Sequence, residues 1–420
     1  MMTQAFYTGI SGLKSNQTGI DILSNNLANI STVGFRGYDT EFASMFEESL
    51  NTASNASSVA SGVGAGVRTQ ASSMNRDQGT ILLSDQSTDL AIVGNGWFGI
   101  QGQTETMYTR AGNFTFDKDS DLVTPDGHYV LGTMGGNITE DGVLNGILAE
   151  VKLGDVASQE KLRFPQNLTY PPEPSTTAKF IGNIGTDDET RTMGAGVVDA
   201  QNNKNNLKLS FTKTVPQVLP GSQWDVVATT QSLDGTTIYD SKTGVAKFDA
   251  SGALIFSDLS TINNNGTSVA IDLGSGYDGV VAISNIPTSS STLVDGTQGG
   301  DLEGYSVNKN AEVIATFTNG LQSSVGKIAV YHFRNEQGLD RASGSMFLEG
   351  KNSGSPLFYT DASGENIIGT DIMNFNLEGS NVQMSVGLTD LIILQRSYDA
   401  NSKSITTADQ MMQKALQMDA

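Results

Sequence analysis

Apolar residues recur every seven positions at both ends of the chain. Near the start they fall at Phe6, Leu13, Ile20 and Leu27, with Leu23 and Ile30 three places after the last two. This spacing predicts a helix over Ala5 to Ile30 with a coiled-coil-like seam, and no proline interrupts it. Its polar positions are unusual: Ser11, Ser15, Asn16, Gln17, Thr18, Ser24, Asn25, Asn26 and Asn29 are uncharged, and only Lys14 and Asp21 carry charge. An exposed helix normally carries many charged pairs. Amides and hydroxyls can be buried against neighbours at lower desolvation cost. Residues Val382 to Met418 read the same way. Met384, Leu391, Tyr398, Ile405 and Met412 recur every seven, and Leu394, Ala408 and Ala415 follow three places after three of them. A lone helix of this kind is marginal in water. The two ends are therefore expected to pair with each other and to be fully buried only when copies associate.

The middle of the chain has a different period. Short apolar runs stand between turn signals, as in Asp89 to Val93 before Gly94-Asn95-Gly96, and Trp97 to Ile100 after it. Further turns are expected at Pro125-Asp126-Gly127, at Asp249 to Gly252 and at Asn263 to Gly266. Residues 31–75, rich in Ser, Ala, Gly and Asn, read as an extended connector. Pro171-Pro172-Glu173-Pro174 marks a stiff stretch near a domain edge. The expected fold class is mixed and mainly β: terminal α-helices paired as a coiled-coil-like inner domain (1–30 with 382–420), and nested β-rich outer domains between them.

Composition narrows the function. Net charge is −21, from 45 acidic and 24 basic residues, which disfavours a nucleic-acid partner. Cysteine is absent, so disulfides, thiol catalysis and cysteine metal sites are excluded. No apolar run follows Met1 as in a Sec signal, and Leu391 to Leu394 is far too short to span a membrane. An extracellular destination would require a dedicated exporter.

Candidate chemistry is thin. Gly94 to Gly99 spells G-x-G-x-x-G, but a dinucleotide site requires a helix to follow, and Trp97 to Gln101 reads as a strand. Asp117 to Asp121 mimics the start of a calcium loop, yet Leu122 and His128 stand where Gly and Glu are required, so a hairpin turn is expected. His128 and His332, the only histidines, sit in strand-like runs and read as structural. No nucleophile elbow or H-E-x-x-H motif occurs. The reading is a non-enzymatic protein without cofactor or metal. A secreted β-rich glycan-binding or glycan-active protein is the rival from another class, and it leaves the matched end helices unexplained.

Several longer motifs resemble the flagellar axial protein family, the rod and hook subunits. At the N-terminus they are Ser11 to Leu13, Ser24 to Asn29 and Ser31 to Arg36. At the C-terminus they are Leu377 to Val382, Leu388 to Ile392 and Gln395 to Lys403. Between them Gly94 to Phe98, Tyr108 to Phe114 and Leu122 to Gly132 also match. The family-motif positions singled out are Asn25, Asn26, Asn29, Gly34, Phe35, Gln395, Arg396 and Asn401. An insert over 150–302, containing Leu207 to Lys213 and Trp224 to Val226, resembles the outer domain of hook subunits. Rod subunits share the ends but have a shorter middle; a distal rod protein with an enlarged outer domain is the alternative within the family. The resemblance implies an inner β-domain from 76–149 and 303–381, with the insert as an outer β-domain. It also implies self-assembly through Phe6, Leu13, Ile20, Leu23, Leu27, Ile30, Leu391, Leu394, Tyr398, Ile405, Ala408 and Met412. The product would be an extracellular hook that transmits torque from rod to filament. Export by the flagellar type III apparatus and contacts with rod, hook-cap and hook-filament junction proteins are implied too, without membrane insertion. One departure is Gly387, near where the family often has an acidic pair; it is expected to weaken the helix start by roughly 1 kcal/mol.

Overall fold

The computed structural model describes residues 2–45, 66–102, 105–139, 141–217 and 220–418. Helix α1 spans Met2–Ala28 and helix α2 spans Met384–Met418. Both expected helices are present, and they pack together along their length. α1 ends where Asn29, Ile30 and Thr32 turn the chain through backbone bonds back to Asn25, Leu27 and Asn29.

The stretch read as an extended connector departs from that expectation. Two of its parts pair as antiparallel strands, β1 (Tyr38–Ser44) and β2 (Val67–Met74). Residues 46–65, the middle of the connector, lie outside the described residues. The ribbon lies against α1: Ser15 Oγ donates to the Val67 carbonyl at 3.2 Å, and Ser11 Oγ accepts from the Val67 amide at 3.3 Å.

Among the described residues between the helices the regular structure is β apart from two single 3-10 turns, and it forms two hydrophobic cores. The first is built on a 13-stranded sheet whose centre runs from Gln322–Ile328 through Tyr129–Met134 and Trp97–Gln101 to Thr106–Thr109. Trp97, Phe98, Phe114, Phe164, Phe317 and Phe347 fill it. The second lies between a five-stranded antiparallel sheet and a six-stranded sheet in which Thr177–Asn183 has both parallel and antiparallel neighbours. Here the strand period is visible in the burial. Leu207, Leu209 and Phe211 point inward, as do Trp224, Val226 and Ala228, and the residues between them face outward.

The chain passes from the first core to the second once and returns beside itself. At the crossing Glu173 and Thr297 exchange backbone hydrogen bonds of 2.9 Å. The insert expected to begin at 150 therefore begins later, near 171. Leu153, Leu162, Phe164, Leu168 and Tyr170 all belong to the first core, because the segment lays their apolar side chains against it and adds two short strands, Glu160–Lys161 and Thr169–Tyr170, to its sheet. The expected turns at Gly94 to Gly96 and at Asp117 to Asp121 are both turns. Gly94 and Gly96 have φ of 104° and 134°, and strands Thr115–Phe116 and Leu122–Val123 flank the second.

Candidate functional site, the helix pair and its anchor

The α1–α2 contact is antiparallel and centred on glycine rather than leucine. A side chain at Gly9 would come within 2.6 Å of Ile405 Cγ1, one at Gly12 within 2.7 Å of Asn401 Nδ2, and one at Gly19 within 3.0 Å of Leu394 Cδ1. Three bare positions on one face let the backbones approach closely, with α2 supplying the knobs. On α2 most of the expected face turns inward: Leu391, Leu394, Tyr398, Ile405 and Met412 are half-buried and Ala408 is buried, whereas Met384 and Ala415, at the two ends of the expected seam, are exposed. On α1 the expected apolar residues Phe6, Leu13, Ile20, Leu23 and Leu27 are half-buried, as is Ile30 in the turn beyond the helix end, beside a buried line of Gly9, Gly12, Ser15, Gly19 and Asn26. Glycine carries no hydropathy signal, so the seam was read from its larger neighbours. The spacing of Gly9, Gly12 and Gly19 was the available clue.

Gly387 also belongs to this contact. It is buried, a Cβ there would lie 3.0 Å from Leu27 Cδ2, and α2 runs through it without a break. The glycine expected to loosen the helix start is where α2 closes onto α1.

The rest of α2 is not covered. Met384, Val386, Leu388, Ile392, Ile393, Met411 and Leu416 are exposed, as are Tyr7 and Ile10 of α1. The N-terminal half of α2 is apolar on nearly every side, the pattern of a helix that is surrounded in its working state. The helices are also electrically neutral. α1 carries Lys14 against Asp21, and α2 carries Asp390, Asp399 and Asp409 against Arg396, Lys403 and Lys414. The whole charge of −21 therefore falls on the rest of the chain.

A buried ionic clasp ties this pair to the β-body. Glu378 accepts from Arg36 at 3.0 Å and from Arg110 at 3.2 Å, and all three side chains are almost completely buried. Glu378 Oε1 also accepts the Gly79 amide at 2.9 Å, Arg110 donates to the Gly94 carbonyl at 2.6 Å, and Arg36 donates to the Asp77 carbonyl. Burial, opposed by Glu378, pushes the Arg110 guanidinium down to about 10, so it stays charged near neutral pH. Its guanidinium also lies 5.6 Å from the Trp97 ring centroid.

Around the clasp, side-chain amides act as substitute backbone. Asn26 donates to the Tyr38 carbonyl at 2.7 Å and accepts the Tyr38 amide at 3.0 Å, fastening β1 to α1. Asn381 accepts from the Gly37 amide at 2.8 Å and donates to the carbonyls of Asn75 and Asp77 at 2.9 Å each. Beside these contacts, burial and the nearby charges of Asp390 and Asp77 raise the Asp39 carboxyl above its ordinary value.

Gly34 shows why its motif holds glycine. Its φ is +65°, its amide donates to the Glu378 carbonyl at 2.7 Å, and a Cβ would fall onto the backbone of Arg110 and Ala111. Backbone cannot swing aside as a side chain can. Gly34→Ala is expected to cost at least ~2 kcal/mol, from left-handed strain plus displacement of the docked segment. Denaturant unfolding would check it; a change below ~0.5 kcal/mol would refute the steric reading.

The remaining motif positions divide. Phe35 is buried, with the Arg341 guanidinium 5.2 Å from its ring centroid. Asn401 meets Gly12 and donates to the Ser397 carbonyl at 3.0 Å. Asn25 and Asn29 bond to each other at the end of α1, whereas Gln395 and Arg396 face solvent and are not brought to the helix contact. Arg36, Arg110, Glu378 and Asn381 were not singled out from sequence. The available signal was a lone charge in an otherwise uncharged motif, as Glu378 is between Leu377 and Gly379.

Comparison with known proteins points to one family. The model of the flagellar hook protein FlgE/F/G D1 domain matches residues 91–169. Models of the flagellar basal body rod FlgEFG protein C-terminal region and of flagella basal body rod proteins match 374–418 and 6–36. The flagellar hook protein FlgE of Brucella suis is 30% identical over 424 residues, covering 96% of both chains. The chain belongs to the flagellar hook protein family. The FlgE of Borreliella burgdorferi is 26% identical over 99% of this chain and 100% of its own, and that of Escherichia coli 27% over 97% and 98%. A crystal structure of Helicobacter pylori flagellar hook protein FlgE2 shares the fold with a TM-score of 0.53, at 17% identity, covering 71% of this chain and 100% of that one. Membership in this family makes the chain a structural subunit of the bacterial flagellar hook.

Proposed function

We propose that this subunit polymerises head to tail into a bent tube that joins rod to filament and carries torque while flexing. The single observation that carries this reading is the neutral helix pair with its uncovered apolar residues. Val386, Leu388, Ile392 and Ile393 need a cover that one chain does not supply, and a repeated contact that does not close a ring gives an open helical polymer.

In this reading the helices form the inner layer of the wall. Phe6, Leu13, Ile20, Leu23 and Leu27 of α1, with Ile30 just past its end, meet neighbouring copies, together with the outer flanks of α2. The first β-core forms the middle layer and the second the outer one. The outer layers carry the negative charge and slide past one another as the tube bends, while the inner layer persists. The role is mechanical rather than catalytic. The subunit leaves the cell through the flagellar type III apparatus, and the two ends of the tube meet rod and junction proteins, with a cap at the growing tip.

Electron microscopy of the concentrated purified protein tests this. Curved or supercoiled tubes are the expected product. Straight, rigid tubes would favour a distal rod subunit with an enlarged outer domain, and a monomer at every concentration would overturn the polymer reading.

A further inference from the structure

Just before α2 the chain forms a small two-stranded ribbon in which Ile81–Leu83 pairs with Asn376–Glu378. Leu82 and Leu83 lie opposite Leu377 and Asn376, so they point to opposite faces of the ribbon. Both are exposed, Leu82 at 52% and Leu83 at 84%. An ordinary surface strand turns one face to its core and a polar face to water; this one offers leucine on both sides. Beside it Phe375 and Met373 remain 39% and 40% exposed.

Phe375 adds a second, independent sign. It has φ of +54°, a left-handed conformation that is a genuine outlier for a bulky residue. The Ser84 amide donates to its carbonyl at 2.7 Å and holds it there. Strand Ile81–Leu83 also has a free edge, since its only strand partner among the described residues is Asn376–Glu378.

We propose that this ribbon, with Leu82, Leu83, Met373 and Phe375, inserts against a second copy of the same chain as a lateral contact separate from the helices. This rests on the polymer reading above. Charge selects the occupant. Copies whose β-bodies carry −21 repel wherever their acidic surfaces face each other, so they meet where charge is lacking. Residues 79–84 and 372–377 hold no charged side chain. The surface is also continuous with the helix face that awaits a neighbour. Leu82 approaches Gly379, where a Cβ would stand 3.5 Å from Leu82 Cδ1, and Met384 opens α2 a few residues on.

The chain has no cysteine, so Leu83→Cys gives one attachment point for a nitroxide. In the monomer the label is expected to be mobile, and in assembled tubes strongly immobilised. The double variant Leu82→Asp with Leu83→Asp is expected to keep the far-ultraviolet spectrum and melting of the parent and to raise the critical concentration for assembly at least tenfold. A label equally mobile in tubes and monomer, or a double variant assembling at the parent concentration, would overturn the contact while leaving the polymer reading intact. If the unmodified chain forms no tubes, both readings fall.

Discussion

Glu378→Ala is expected to destabilise the β-body that carries the helices by about 3–5 kcal/mol, the usual cost of leaving a buried charge without its partner. The geometry makes the upper part of that range reasonable. One carboxylate bridges two guanidinium groups, Arg36 and Arg110, that are 3% and 2% exposed, and it accepts the Gly79 amide as well. Its removal leaves two like charges facing each other with no route to water. Glu365→Ala supplies the contrast: its ion pair with Lys152 is exposed on both sides and 3.0 Å long, so solvent screens it and little stability should be lost. Because Trp224 and its neighbours form a separate core, calorimetry of Glu378→Ala should shift one transition and leave the outer one in place. Equal melting of the two alanine variants would show that the clasp contributes little.

Removal of residues 1–30 is expected to abolish tube formation while the β-body stays folded. The cut spares Gly34, Phe35 and Arg36, so the clasp on Glu378 survives, and neither hydrophobic core includes a residue from α1. α2 loses the helix against which Leu394, Asn401 and Ile405 are seated, and a single helix so exposed is marginal in water. Circular dichroism should show the β signal retained and helical signal lost, and sedimentation should show no polymer where the full chain assembles completely. Tubes of normal yield from the shortened chain would sink the inner-layer role of the helices.

Much of this is legible in the sequence. The heptad spacing of Leu391, Tyr398, Ile405 and Met412 located the inward face of α2 because the large apolar residues there are the ones that pack. The alternation of Leu207, Leu209 and Phe211 likewise located a strand face. On α1 the same reading found the helix but not its tightest contact, since Gly9, Gly12 and Gly19 act by being absent from the space that α2 fills. Gly387 departs from its expectation for a related reason. Helix propensity counts its local cost, whereas its value lies in how near Leu27 it allows α2 to come.

By itself the sequence determined the terminal helices, the β-rich middle, the neutral ends on an acidic body, and the family motifs. These depend on residue type and on periods of a few positions, which are local properties of the chain. The tertiary structure alone decided that Arg36, Arg110 and Glu378 share one buried site, that Leu153 to Tyr170 join the first core, and that Leu82 and Leu83 stand out in water. Each of those is a meeting, or a failure to meet, between segments far apart in sequence, and the residues themselves carry no mark of which distant neighbour will occupy their surroundings.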